Sequence, residues 1–203
     1  MENIFIINGG QSFGHSGGKF NRTLLDLDRA FFTKDNGFSL RTTDINEPYD
    51  LDEEVSKYVW ADVVIYHFPV WWFGMPHALK EYVDKVFTAG HRNGMYYSDG
   101  RKAENPEVNY GTGGLLQGRK YLVTSTWNAP ETAFTLPDEF FEQRSVDDGV
   151  LFGFHKMNEF LSLDRIEGIH FHEMEKNVTS ERIAEYKARY QTFLSATFKA
   201  EYA

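Results

Sequence analysis

The chain has no cysteine among its 203 residues. Disulfide staples, thiol nucleophiles and thiolate metal sites are therefore excluded. No apolar run approaches the roughly 20 residues that span a bilayer. Met1-Glu2-Asn3 leads straight into apolar residues, with no basic segment of the kind that opens a secretory signal. A soluble, cytoplasmic protein without a membrane span is the expectation. Cations are scarce too: 21 Lys and Arg against 30 Asp and Glu leave a formal net charge of −9. Nucleic-acid binding rests on clustered Lys and Arg, so no nucleic-acid partner is expected. A phosphorylated cofactor stays open, because backbone N–H groups and a few local cations can hold one on an acidic surface. No linker, repeat or low-complexity segment divides the chain. Its length suits one domain, residues 1–203, with a core that needs no staple.

What is present is alternation. Ile4 to Asn8 reads as a buried strand, and a helix follows from about Lys19 to Asn36 with Phe20, Leu24, Leu27 and Phe31 on one face. Phe38 to Thr42 is strand two. Asp50 to Trp60 is a short helix whose acidic start suits the helix dipole. Val63 to Phe68 is strand three, and Pro76 opens a helix carrying Leu79, Val83, Val86 and Phe87. Lys120 to Thr126 is strand four, a helix is expected from about Gly149 to Leu161, and Arg165 to Phe171 is strand five. A last helix runs from about Thr179 to Lys199. Five strands alternating with five helices indicate an open, doubly wound parallel sheet with helices on both faces. The order 2-1-3-4-5 is one layout of that kind.

In such sheets, ligands bind beyond the carboxyl ends of the strands, where strand order reverses. The loops after strands one, three and four all emerge there. The first holds Gly9, Gly10, Gly14, His15, Ser16, Gly17 and Gly18 before Lys19, Phe20, Asn21, Arg22 and Thr23 open the helix. Strand, glycine-rich turn and helix start aim N–H groups and a positive dipole end at one spot, a ready anion site. A plain flexible turn would read similarly, and neither nucleotide fingerprint is present. The second loop is Pro69-Val70-Trp71-Trp72-Phe73-Gly74-Met75-Pro76. Its consecutive aromatics cannot all enter the core from one short turn. They pack on the sheet edge, cover a partner subunit, or wall a planar ligand. The third loop, Thr126-Trp127-Asn128-Ala129-Pro130, adds amide donors and another tryptophan. Anion cradle, flat walls and amides together suit a flavin. A long excursion from Thr88 to Arg119, punctuated by Gly90, Gly94, Gly100, Gly111, Gly113 and Gly114, is of the length that is usually functional.

Other residues read two ways. His155 is either a proton donor or a helix histidine bonded to a carbonyl. His170 and His172 share a strand face but lack a third ligand at metal spacing, so no metal is expected. Asp147-Asp148 is a helix cap more simply than a carboxylate pair. Arg92, Arg101 and Lys102 are solvated charges or contacts to a phosphate.

The segments His15-Ser16-Gly17-Gly18-Lys19-Phe20-Asn21, Pro69-Val70-Trp71-Trp72, Val86-Phe87-Thr88-Ala89-Gly90-His91, Tyr110-Gly111-Thr112-Gly113-Gly114-Leu115-Leu116-Gln117-Gly118 and Thr126-Trp127-Asn128-Ala129-Pro130 stand in a recognisable order. Through them the chain resembles the flavodoxin-like FAD quinone reductases of the modulator of drug activity B type. The match fades after about Leu163, and Val70 stands where family members often carry another residue. The resemblance implies a flavodoxin-like fold and FAD held without a covalent bond, with FMN the lesser expectation. Ser16 to Thr23 would bind the pyrophosphate, Pro69 to Phe73 the ring, Thr126 to Pro130 the ring edge, and Tyr110 and Gly113 an outer part of the site. It further implies NADPH or NADH as donor, a quinone as acceptor, and a homodimer with flavin sites near the interface. The expected reaction is ping-pong hydride transfer, with Tyr110 and His155 as candidate proton donors and the amides of Trp127, Asn128 and Ala129 stabilising the reduced ring. A nitro or azo reductase, a one-electron flavodoxin-type carrier, and a cofactor-free interaction module are the alternatives.

Overall fold

The computed structural model describes residues 1–14, 16–176 and 178–198. Strands β1 (Glu2–Asn8), β2 (Phe38–Asp44), β3 (Val63–Pro69), β4 (Lys120–Thr126), β5 (Asp164–Arg165) and β6 (Ile169–Phe171) form one parallel sheet. Their order is β2-β1-β3-β4-β5, with β6 also on β4. Helices α1 (Lys19–Phe31) and α6 (Ser180–Phe198) cover one face, and α2 (Leu51–Trp60), α3 (His77–Ala89) and α5 (Phe152–Phe160) the other. A short helix α4 (Thr132–Thr135) follows β4. The flavodoxin-like order is thus present.

Burial follows from the strand period of two. Along β1, Ile4 and Ile6 join Leu24, Leu25, Ile65, Leu122, Tyr190 and Leu194 on one face. Phe5 and Ile7 join Val64, Tyr66, Val83, Val86 and Phe154 on the other. A strand covered on both faces reads as a continuous apolar run, which is why β1 and β3 were legible.

Several boundaries differ from the sequence expectation. Helix α1 stops at Phe31, because Thr33 accepts a hydrogen bond from Asn36 N–H and sets a separate 3-10 turn over Lys34–Asn36 that Gly37 closes at φ 88°. Strand two continues to Asp44, since Thr43 and Asp44 stay paired with Ile7 and Asn8. Helix α5 begins at Phe152 rather than Gly149. Ser145 Oγ accepts from Asp148 N–H at 3.0 Å, and its carbonyl from Gly149 N–H at 3.0 Å, so the preceding residues form a turn. Strand five is two pieces. Tyr121 pairs with Arg165 but Thr124 with Ile169, so an extra residue bulges between them. Gly168 sits in that bulge, where a Cβ would meet the Val123 carbonyl oxygen at 2.4 Å.

One buried polar cluster ties helices to sheet. His67 on β3 lies 2.5 Å from Asp28 of α1 and 2.7 Å from Thr124 of β4, and the Tyr190 hydroxyl of α6 donates to Asp28 at 2.7 Å. Asp28, His67, Thr124 and Tyr190 are wholly buried, and burial pushes the Tyr190 phenol well above its ordinary value. Removing one partner would leave the others unpaired inside the protein. Asp28→Ala is expected to lower unfolding free energy by about 3–5 kcal/mol, read by urea denaturation.

Candidate active site

Strand order reverses between β1 and β3, and a cleft of about 520 Å³ opens at the carboxyl ends of the strands there. The loop after β1 contributes Ser16, Gly17, Gly18, Lys19, Phe20, Asn21 and Thr23. The loop after β3 contributes Pro69, Val70 and Trp71, and that after β4 contributes Thr126, Trp127 and Asn128. A fourth wall, Met174, Glu175, Val178 and Ile183, comes from the segment after β6 and the first turn of α6.

The first loop is built for close approach. Gly18 is the N-cap of α1 at φ 61°, and a Cβ there would lie 3.0 Å from the Gly10 carbonyl carbon. Both conditions call for glycine. Gly10 is held in turn: its N–H donates to Asn8 Oδ1 at 3.1 Å, and its carbonyl accepts from Asn46 Nδ2 at 2.8 Å. Among the described residues no side chain caps α1, and no acidic residue occupies its first turn. The first-turn N–H groups and the dipole therefore face the cleft with no carboxylate in their own turn. Asn21 is 2 % exposed, and its Oδ1 has no hydrogen-bond partner among the described residues. A buried orphan acceptor on the wall of a cleft is a place for a ligand donor.

The aromatic loop is a tight hairpin turn. Trp71 and Gly74 exchange two backbone hydrogen bonds, each 3.0 Å. The central residues, Trp72 at φ 46° and Phe73 at φ 62°, both lie in the left-handed region. Turns of this kind ordinarily carry Asn-Gly. Two bulky aromatics there are strained, and such strain collects at functional sites. Trp71 lines the cleft and packs on Phe13 of the first loop, 5.4 Å between centroids. Trp72 is 95 % exposed, and Phe73 stacks on Phe140 at 5.4 Å, so both leave the cleft of this chain.

The third loop is welded to its neighbours. Val70 N–H donates to Thr126 O at 2.9 Å, and Trp127 N–H to Phe171 O at 2.8 Å. The Trp127 amide, expected to stabilise a ligand, is therefore used in the sheet. The Ala129 carbonyl accepts from Glu173 N–H, and that of Pro130 from Ala133 N–H. Neither residue lines the cleft, which leaves Asn128 as the residue of that loop with an exposed amide side chain.

Comparison with known proteins places this geometry. Residues 2–194 match the family model described as flavodoxin-like fold. The chain is 43% identical over 197 residues to a protein of Haemophilus influenzae named NADPH:quinone oxidoreductase MdaB, covering 97% of this chain and 99% of that one. The chain belongs to the flavodoxin-like family of oxidoreductases. Among solved structures, a putative quinone reductase from Klebsiella pneumoniae superimposes with a TM-score of 0.72 at 19% identity, covering 98% of this chain and 85% of that one. General stress protein 14 of Treponema denticola, solved in complex with FMN, superimposes with a TM-score of 0.66 at 22% identity, covering 97% and 99%. At those identities the two likenesses concern the fold.

Not every residue singled out from the sequence reaches the cleft of this family member. His15 lies outside the described residues. Arg22 follows the first turn, its N–H donating to Gly18 O at 3.2 Å, and is not on the wall. Tyr110 is 71 % exposed on the excursion, packed on Phe160 and beneath Arg101. Gly113 is a packing glycine, since a Cβ would meet the Ser98 carbonyl oxygen at 1.9 Å. His155 is buried with both ring nitrogens engaged, Nδ1 with the Tyr121 hydroxyl at 2.7 Å and Nε2 with Asp147 at 2.9 Å. It holds α5 against β4 rather than facing a substrate. Asp147 is no helix cap. It collects His155, His170 at 3.3 Å and Arg165 at 2.9 Å. His172 lies 3.3 Å from the Ala129 carbonyl oxygen, and burial lowers its pKa.

The fourth wall had no motif to announce it. The rule that ligands gather at carboxyl ends applies to the fifth strand as much as to the others, and that was the available signal.

Two expectations follow. Trp72 buries almost nothing, so Trp72→Asn removes strain without removing packing and is expected to raise unfolding free energy by about 1 kcal/mol in urea titrations. Burial alone would raise the Asp147 carboxyl, but hydrogen bonds from His155 and His170 and the Arg165 charge hold it well below the usual carboxylate range. The anion therefore stabilises the fold above about pH 4, and the contribution is lost on acidification. Unfolding free energy measured against pH should fall less steeply below about pH 4 in Asp147→Asn than in the unaltered protein.

Proposed function

We propose that the chain is a flavin-dependent NAD(P)H:quinone oxidoreductase. The observation that carries this reading is the convergence of an uncapped helix start, an orphan Asn21 acceptor and the Trp71 and Trp127 walls in one cleft. The first feature suits a phosphate group, the second a hydroxyl or ring N–H donor, the third a flat ring. The 43% identical Haemophilus protein, matched over nearly its whole length, supports the same activity.

Ser16 to Asn21 would hold the phosphate end by backbone N–H groups, with Lys19 supplying local positive charge. Pro69, Val70 and Trp71 would support one side of the ring, and Thr126 with Asn128 would meet its edge. A bound flavin supplies two-electron storage, so the nicotinamide donor and the quinone can use the cleft in turn. NAD(P)H, a proton and a quinone become NAD(P)⁺ and a quinol. This chain's part is to orient the flat partners and to place fixed dipoles where charge develops. His155 and Tyr110 do not line the cleft, and water admitted at its open side supplies the proton. FAD is the form the resemblance implies, whereas the Treponema structure carries FMN. We also propose a homodimer. The apolar groove between α3 and α5, with Met75, Val83, Phe87, Leu151 and Met157, and the exposed Phe73 and Phe140 support it. Light scattering on the eluted protein is expected to give twice the chain mass.

The purified protein is expected to be yellow, with the released cofactor identified by chromatography as FAD or FMN. It should oxidise NADPH steadily with menadione, give parallel double-reciprocal lines, and act more slowly on nitro and azo acceptors. A colourless protein that takes up neither flavin would overturn the reading. Asn21→Asp sets a carboxylate at the uncapped helix start and should weaken flavin binding by about tenfold or more in fluorescence titration.

A further inference from the structure

The Trp127 wall of the cleft is held from behind by a buried polar chain. Trp127 is 4 % exposed, and its indole Nε1–H donates to Ser125 Oγ at 2.7 Å. Ser125 is wholly buried and lies 2.7 Å from His170 Nδ1. His170 Nε2 lies 3.3 Å from Asp147 Oδ2. Arg165 neutralises the same carboxylate, whose other oxygen meets His155 and, through it, Tyr121.

With His170 in its neutral form, donor and acceptor counts fix the direction of every link. An indole N–H only donates, so Ser125 Oγ accepts from it. An ionised carboxylate only accepts, so His170 Nε2 carries hydrogen. Neutral His170 then offers the Nδ1 lone pair, and the Ser125 hydroxyl donates to it. Asp147 thus sets the His170 tautomer, His170 sets the Ser125 hydroxyl, and Ser125 sets the indole. The Trp127 ring also meets other rings: Phe134 at 5.0 Å, Phe141 at 6.1 Å and His172 at 6.5 Å. These fill space, and the bond to Ser125 is the directional one. The Trp127 carbonyl also accepts from Met174 N–H at 2.8 Å, so the adjoining wall turns with it.

We infer that Ser125, His170 and Asp147 are positioning residues, which hold Trp127 and the Met174 wall in the orientation that receives the flat ligand. What the wall receives rests on the flavin reading above; the chain of bonds behind it does not.

Two measurements test this. In the nitrogen–proton correlation spectrum of flavin-free protein, the Trp127 indole peak should move upfield in Ser125→Ala and His170→Phe. It should stay in place in His170→Asn, whose Oδ1 can replace Nδ1 as acceptor. In flavin titrations, Ser125→Ala and His170→Phe should raise Kd by about threefold to tenfold, with His170→Asn recovering most of the loss. Tyr121→Phe cuts the far branch of the same hub and should leave both the peak and Kd unchanged within twofold, whatever it does to thermal stability. An unmoved Trp127 peak in both Ser125→Ala and His170→Phe overturns the inference. So does an equal loss of flavin affinity in Tyr121→Phe, which would mark the effect as general destabilisation. If the unaltered protein takes up no flavin, the flavin reading fails, and the indole peak still decides whether the chain sets Trp127. Should Ser125→Ala not fold, the two His170 variants carry the test.

Discussion

Among the described residues no side chain caps the first turn of α1, and the carboxyl end of the sheet is arranged around that open helix start. A helix start inside a fold ordinarily finds a serine, threonine or aspartate to accept its N–H groups. Here the cap is Gly18, whose positive φ and close approach to Gly10 exclude any side chain. The positive end of the dipole is left for something outside the chain. The other walls follow from that. The loops after β3, β4 and β6 bring apolar and aromatic groups to the same opening, and bring Glu175 as well. Glu175 belongs to the segment after β6 and not to the first turn of α1.

What could be read from the sequence was what strong local signals encode. Strands β1 and β4 fell where continuous burial predicts, and the turn from β1 into α1 is written in glycines. Signals failed where a long-range contact decides. Strand five reads as one run, yet Gly168 must pass within touching distance of the Val123 carbonyl, and the register slips by one residue. Asp147 reads as a helix cap because it precedes a helical pattern. Only the fold brings Arg165, His155 and His170 to it. The Trp127 amide looked available because nothing local shows that Phe171 will lie beside it. In the run Trp71-Trp72-Phe73, composition marked the loop as unusual, but backbone conformation divides it. One ring faces the cleft and two are turned outward by positive φ.

Residues 124 and 125 explain why the cleft can be both strained and stable. Neighbours on a strand point to opposite faces, and at the end of β4 both are hydroxyls. Thr124 meets His67 and, through it, Asp28, with Tyr190 on the same carboxylate. Ser125 meets His170 and, through it, Asp147, with Arg165 on the same carboxylate. Each face of the sheet thus carries a hydroxyl–histidine–carboxylate chain rooted at the same strand end, one tying down α1 and α6, the other the Trp127 loop and the start of α5. Such chains are costly to bury unless every member is paired, and both are. Their arrangement resembles a hydrolytic triad, but Thr124 and Ser125 are wholly buried and face no substrate. Their effect is geometric. With β4 anchored on both faces, the loops after β1 and β4 are fixed to the sheet. The Trp71–Gly74 hairpin is then free to carry two aromatics in a conformation that L-residues rarely adopt, because the structure beneath it does not depend on that turn for stability.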